Sequence, residues 1–340
     1  MRLNDFSRYQ LADLPTTLDE APRLADAIGI DRLLIKRDDN TGLAMGGNKA
    51  RNLEFLMAQA HSINADVVLT CGGPQSNHVR MTAAAARKAG MECILFMPAS
   101  DIPKTFEANL LLDAVLGAEM RFLNEESFPR LGQIMKDAEE QLIAAGKVPF
   151  TIPLGGSTPL GTLGYVAAVK ELAEQLDERG IDRVDIVAAV GTGGTLAGIL
   201  LGNSLFSPKS RVFGISVVCP AEAAQNWVLE EAEESARLLE VDSNLGELSI
   251  HDEYIGEGYG IATRGCKEAI LITARTEGII LDPIYTGKAM DGLINLARNG
   301  QIGRDRPVVF WHTGGGPGLF AHSELFQKEG QDLSGDFTSL

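Results

Sequence analysis

Ile186-Val187-Ala188-Ala189-Val190-Gly191-Thr192-Gly193-Gly194-Thr195-Leu196-Ala197-Gly198-Ile199-Leu200-Leu201 runs from an uninterrupted apolar segment through a Gly/Thr turn into a second apolar segment. Five apolar residues in a row, with no polar alternation, read as a strand buried on both faces, which a parallel sheet covered by helices requires. From Ile186 to Pro208 there is no charged residue, about the length of a membrane span, but the glycines and threonines break its centre. The flanks lack aromatic belts and no second span accompanies it, so a strand, a polar turn and a buried helix are expected. Successive backbone N–H groups at such a helix start converge on phosphate oxygens, and Thr195 adds a hydroxyl donor. A dinucleotide fingerprint would want glycine or alanine where Leu196 stands, and a P-loop would need Gly-Lys-Ser/Thr. A small phosphorylated ligand is the remaining functional reading, and a turn kept for tight packing is the structural one.

Outward from this stretch, strands and helices alternate. Apolar runs at Val67-Cys71, Cys93-Met97, Met120-Leu123 and Phe150-Ile152 are separated by helical patterns such as Met81-Ala89 and Leu131-Ala145. A second set comprises Ile186-Val190, Val212-Val218 and Val308-His312, with helices over Leu160-Leu176, Ala221-Leu239, Cys266-Arg275 and Thr286-Ala297. Two α/β lobes are predicted, with no repeat, low-complexity tract or linker to separate them.

Composition narrows the function. The 340 residues include 30 Lys/Arg against 46 Asp/Glu, a net charge of −16, which repels nucleic acid and anionic lipid in the absence of any basic run. Cys71, Cys93, Cys219 and Cys266 are far apart and form no Cys-x-x-Cys pair, so neither a metal cage nor a disulfide framework is suggested and a reducing, cytoplasmic setting is expected. The segment from Met1 to Arg8 has no apolar core of the length a signal peptide needs.

Two further turns carry chemistry. Gly46-Gly47-Asn48-Lys49 precedes a helix with Leu53, Leu56, Met57 and Ala60 on one face, so Lys49 has a fixed base, with Asn48 as an expected N-cap. A lysine there is either a solvated helix-start residue or, if buried, a reactive amine. Gly72-Gly73-Pro74-Gln75-Ser76-Asn77-His78 follows the strand Val67-Cys71. It offers Ser76 and backbone N–H groups to a carboxylate and Asn77 to an oxygen of a planar ligand, or else ordinary capping. An amine for an aldehyde, a cradle for a phosphate and donors for a carboxylate together specify pyridoxal 5′-phosphate.

In these motifs the chain resembles the fold-type II, tryptophan-synthase-β-like pyridoxal-phosphate enzymes, and within them the group of D-cysteine desulfhydrase and 1-aminocyclopropane-1-carboxylate deaminase. The resemblance covers nearly the whole chain. It is carried by Ile35-Lys36-Arg37-Asp38-Asp39, Gly46-Lys49, Gln75-Arg80, Gly191-Thr195, Gly256-Glu257-Gly258-Tyr259-Gly260, Leu281-Lys288 and His312-Thr313-Gly314-Gly315. It implies a two-lobed α/β fold of parallel twisted sheets with helices on both faces. Residues 1–50 and 160–340 would form a large cofactor-binding domain, and 51–159 a small α/β domain, in a homodimer.

The resemblance also implies roles. Lys49 is similar to the Schiff-base lysine that moves the substrate's Cα proton, which needs a neutral amine. Ser76 and Asn77 resemble the carboxylate and cofactor-oxygen contacts, and Gly191, Thr192, Gly193, Gly194 and Thr195 the phosphate cradle. Tyr285 resembles the tyrosine beside the cofactor ring and Tyr259 a second one facing substrate, each able to donate a proton or orient the leaving group, where the structural alternative is an aromatic wedge. Thr313 matches the contact to the pyridine nitrogen. His78 and Thr286 are the expected substrate contacts that separate subgroups, because the cyclopropane-acid deaminases carry glutamine after Ser-Asn, glutamate after the tyrosine and an aliphatic residue in place of Thr313.

A hydroxyl cannot keep a ring nitrogen protonated as a carboxylate can, so the weaker electron sink suits loss of a good β-leaving group. The expectation is β-elimination from D-cysteine to pyruvate, ammonia and hydrogen sulfide. The alternatives are an L-cysteate sulfo-lyase, the cyclopropane-acid deaminase, and a cofactor- or phosphate-ligand-binding protein without turnover. The Gly191-Thr195 loop departs from the Gly-Ser-Ala-Gly-Thr form of desulfhydrases, and Pro74 stands where small or aliphatic residues are usual.

Overall fold

The structure is a computed structural model that describes residues 3–207, 209–242 and 244–329. In chain order its first half contains β1 (Leu18–Glu20), α1 (Pro22–Ile28), β2 (Leu33–Arg37), α2 (Lys49–Ser62), β3 (Val67–Cys71), α3 (Asn77–Lys88), β4 (Glu92–Ala99), α4 (Ala108–Val115), β5 (Glu119–Asn124), α5 (Leu131–Ala144) and β6 (Pro149–Thr151). The second half contains α6 (Pro159–Asp177), β7 (Asp185–Val190), α7 (Gly194–Phe206), β8 (Arg211–Ser216), α8 (Ala221–Leu239), β9 (Leu248–His251), α9 (Arg264–Glu277), α10 (Thr286–Arg298), β10 (Val308–His312) and α11 (Gly316–Phe320).

Among the described residues these strands form a six-stranded sheet, ordered β1-β2-β10-β7-β8-β9, and a four-stranded sheet, ordered β5-β4-β3-β6. Every pairing is parallel except β1 with β2, which is antiparallel, so the expected all-parallel character holds apart from one short edge.

The apolar runs explain the layers. Ile186, Ala188 and Val190 of β7 face one core with Leu163, Leu196 and Ala224, while Val187 and Ala189 face the other with Leu24, Ile270 and Leu293. β10 alternates the same way, Val309 and Trp311 against Val308 and Phe310. Each fully buried side chain of this size stabilises the fold by about 1.5–3 kcal/mol, so a one-residue slip would swap every contact on both faces. The smaller sheet is likewise covered twice, by Leu53, Leu56, Met57, Val79 and Met81 on one face and by Leu131, Met135 and Ala138 on the other. No described helix is long and apolar enough to cross a membrane.

β2 shows why one strand is hard to read. It ends in Lys36-Arg37, yet Lys36 is fully buried, because its ammonium donates to Thr16 O and to Gln175 and Glu171 on α6. A charge at mid-sheet is tolerated once its partners are supplied from far along the chain.

Candidate active site

Three parallel strands point their carboxyl ends into the gap between the sheets: β7 runs into Gly191, β3 into Gly72 and β10 into Thr313. Ligands of open α/β sheets bind at such ends. A cavity of about 320 Å³ lies there, walled by Asn48, Lys49, Ser76, Asn77, His78, Gly191, Thr192, Gly193, Thr195, Tyr259, Tyr285 and Thr313.

Lys49 opens α2, and the turn before it depends on glycine. Gly46 has φ +73°, and a Cβ there would stand 1.8 Å from Asp39 O; Gly47 has φ +132°. Thr41 Oγ1 receives Gly47 N–H and donates to Gly47 O, both at 2.8 Å, and Arg80 Nη2 donates to Gly46 O at 2.9 Å. Asn48 occupies the N-cap position but its side chain caps nothing, which corrects the expectation of side-chain capping. Its Nδ2 donates instead to Thr195 Oγ1 at 2.9 Å, and its backbone N–H to Thr313 O at 2.9 Å. The residue before the lysine is therefore bonded both to the end of the Gly191–Thr195 turn and to Thr313. The Lys49 amine donates to Gly155 O at 2.8 Å, and burial lowers its pKa from 10.5 to about 8.

The Gly191-Thr195 turn lies at the N-terminus of α7, with Gly193 at φ +95°. Gly191, Thr192, Gly193 and Thr195 line the cavity, and the Tyr285 ring lies 3.4 Å from where a Gly191 Cβ would be. Gly194 is outside the lining; its N–H donates to Ser157 Oγ, which also bonds Thr192 Oγ1 at 2.7 Å. Ser157 and Gly155 thus bring the segment after β6 against the turn, a feature that nothing local in the sequence announces.

Ser76 caps α3, its hydroxyl accepting Val79 N–H at 3.3 Å, which leaves its proton free to donate. Asn77 accepts from Asn109 Nδ2 at 3.0 Å, so its own amide nitrogen remains as a donor. His78 is buried, with Nε2 2.8 Å from Thr70 Oγ1; because that hydroxyl donates to Ile152 O, it receives the Nε2 proton. Burial, reinforced by Lys49, pushes the His78 pKa down to about 3, so the ring is neutral.

Tyr259 and Tyr285 come from separate segments, and their hydroxyls meet at 2.6 Å. Burial raises the pKa of both, and the pair holds two protons while its mutual hydrogen bond uses one. One phenolic proton is left to donate into the cavity. Thr313, at the end of β10, lines the same wall.

Thr286 is the correction. It is fully buried and outside the cavity wall, its hydroxyl receiving Asp282 N–H at 2.8 Å and donating to Asp282 Oδ1 at 2.6 Å. Asp282 also accepts from the N–H groups of Ile284, Tyr285 and Thr286. Buried away from the cavity with its proton committed to Asp282, Thr286 braces the turn that presents Tyr285. Adjacency to Tyr285 suggested a contact; α10 turns the side chain away.

A buried amine of lowered pKa, a Gly/Thr turn at a helix N-terminus and, among the described residues, unpaired donors on one cavity fit pyridoxal phosphate, and residues 9–314 match the family of pyridoxal-phosphate dependent enzymes. The chain belongs to that family, whose members depend on pyridoxal phosphate, and its fold is the type II α/β fold. A protein of Pyrococcus abyssi (strain GE5 / Orsay) named "Putative 1-aminocyclopropane-1-carboxylate deaminase" is 39% identical over 322 residues, 95% of this chain and 96% of that one. A crystal structure described as that of "the ACC deaminase homologue" superposes with a TM-score of 0.87 at 39% identity, covering 95% and 96% of the two chains. A threonine deaminase described as that of T.th. shares the fold at a TM-score of 0.63 and 20% identity, covering 88% and 92%.

Proposed function

We propose that the protein eliminates a β-substituent from a small amino acid with an uncharged side chain, D-cysteine first among them, consuming water and yielding pyruvate, ammonia and hydrogen sulfide. The observation that carries this reading is the Tyr259–Tyr285 phenol pair, which shares one cavity with Lys49 and keeps a proton to give. When bound, the cofactor supplies the sink for the electrons of the Cα–H bond. Lys49 Nζ would take the Cα proton, Ser76 Oγ would donate to the substrate carboxylate, and Asn77 Nδ2 would hold a cofactor oxygen. Thr313 would serve the ring nitrogen, and the free phenolic proton would go to the departing sulfur.

Apart from Lys49 the cavity wall carries no cation among the described residues, since His78 is neutral. A sulfonate side chain would enter without a counter-ion, which disfavours L-cysteate. A second reading, opening of the cyclopropane acid to 2-oxobutyrate and ammonia, is favoured by the name borne by relatives at 39% identity. Against it stands Thr313, a hydroxyl where that group carries an aliphatic residue.

The test is a panel of D-cysteine, L-cysteine, L-cysteate, D-serine, β-chloro-D-alanine and 1-aminocyclopropane-1-carboxylate, with pyruvate and 2-oxobutyrate measured separately. Pyruvate from D-cysteine, with none from L-cysteate, is the expected result. 2-Oxobutyrate from the cyclopropane acid as the main product would replace it with the second reading.

A further inference from the structure

Tyr259 sits in the irregular segment between β9 and α9, where Gly256, Gly258 and Gly260 have φ of +69°, +155° and +82°. Backbone of that kind has many alternatives and little intrinsic order. It is nonetheless held so that the Tyr259 hydroxyl lies 2.6 Å from that of Tyr285. The tie comes from Lys288, three residues after Tyr285 and fully buried, whose ammonium donates to Ile255 O at 2.7 Å and Gly258 O at 3.2 Å.

Lys288 is a poor choice for stability. Burying an ammonium against carbonyls costs free energy that an apolar side chain of the same length would avoid. It also lies in the first turn of α10, where the helix dipole repels a cation. What it supplies that methionine could not is a pair of hydrogen bonds that fix the tyrosine-bearing loop to the helix following the other tyrosine. We propose that Lys288 is a positioning residue that locks the Gly256–Gly260 loop so that the Tyr259 phenol meets Tyr285 at the cavity wall. It rests on the elimination reading only where catalysis is the readout.

The test uses the cofactor-loaded enzyme and its Lys288→Met and Lys288→Gln variants. Amide hydrogen exchange over residues 255–261 is expected to quicken by about tenfold or more in Lys288→Met, with the last turns of α10 unchanged. Lys288→Gln, which keeps a donor, falls between. Cofactor uptake followed by visible absorbance stays normal, while kcat for pyruvate formation drops by about 100-fold and KM changes less. Combined with Tyr259→Phe, the loss does not multiply: the double variant is as slow as the slower single one. Unchanged exchange over 255–261, or losses that multiply, would overturn the proposal. If Lys288→Met does not fold, Lys288→Gln carries the same exchange and cycle measurements. Wild-type enzyme that forms no pyruvate would sink the elimination reading and leave the exchange result standing.

Discussion

The role proposed for Lys49 requires a neutral amine, and burial shifts its pKa from 10.5 to about 8. About a tenth of the amines are then neutral at pH 7, against well under a thousandth for an ordinary lysine. Because the neutral form is the one that captures an aldehyde, cofactor uptake by the cofactor-free protein should quicken as pH rises through about 8 and level off above it. Uptake monitored by absorbance across pH 6–10 checks this; a rise still steep at pH 10 would mean that the amine is solvated. Lys49→Ala should abolish pyruvate formation. At this scale the sequence anticipated which side chains line the cavity better than it did their tethers. Lys49, Ser76, Asn77, Tyr259, Tyr285 and Thr313 all reach the cavity, whereas Thr286 is turned into the Asp282 turn. Asn48 serves as a cross-link to Thr195 and Thr313, because its partners lie more than a hundred residues away and leave no local signature.

Strand-turn-helix units set the site, and their tolerances are those of close backbone approach. A Cβ on Gly155 would stand 2.2 Å from Thr192 Oγ1, and Gly155 has φ +71°. Gly155→Ala should therefore push the turn after β7 outward and weaken cofactor binding by about tenfold or more while the two sheets still fold. Titration of the cofactor-free variant measures it, and unaltered affinity would show that the turn tolerates the displacement. Elements with a long period were legible: α8 spans Ala221–Leu239 and β3 and β10 fall as their apolar runs predict. The third helix begins at Asn77 rather than Met81, because Ser76 caps it and its first turn, polar except for Val79, hides the apolar period. The edge strands β1 and β9, of three and four residues, are too short to show alternation, and β2 was obscured by its buried Lys36.

At the scale of the whole molecule, a buried ionic cluster joins α2 and α6 to the large sheet. Asp38, just after β2, accepts from Arg51 Nε and Nη2 on α2, Tyr165 OH on α6, Trp311 Nε1 on β10 and Thr16 Oγ1. Arg51 is two residues from Lys49 and also bonds Glu171, so the cluster clamps the lysine helix to the large sheet. Burial raises the Asp38 pKa, but Arg51, Lys36 and Tyr165 overcome it and hold it at about 2 against 3.8. A depressed carboxylate contributes stability above its unfolded pKa and loses it as pH falls through the folded one. This group's contribution, about 2 kcal/mol, is therefore complete above pH 4 and fades toward pH 2. Asp38→Asn leaves Arg51 short of a partner and should cost about 3–5 kcal/mol in urea unfolding near pH 7; a loss below about 1 kcal/mol would show that Glu171 suffices. The sequence by itself determined the layered α/β class, the Gly/Thr turn at the start of α7 and the place of the lysine at the start of α2, because hydrophobic period and glycine spacing are local and are written residue by residue. Only the tertiary structure decided which hydroxyls face the cavity, which segment supports the phosphate turn and how a charged strand is buried. Those depend on contacts between residues far apart in the chain, whose geometry follows from how the two helix-covered sheets are joined, chiefly through α2 and α6.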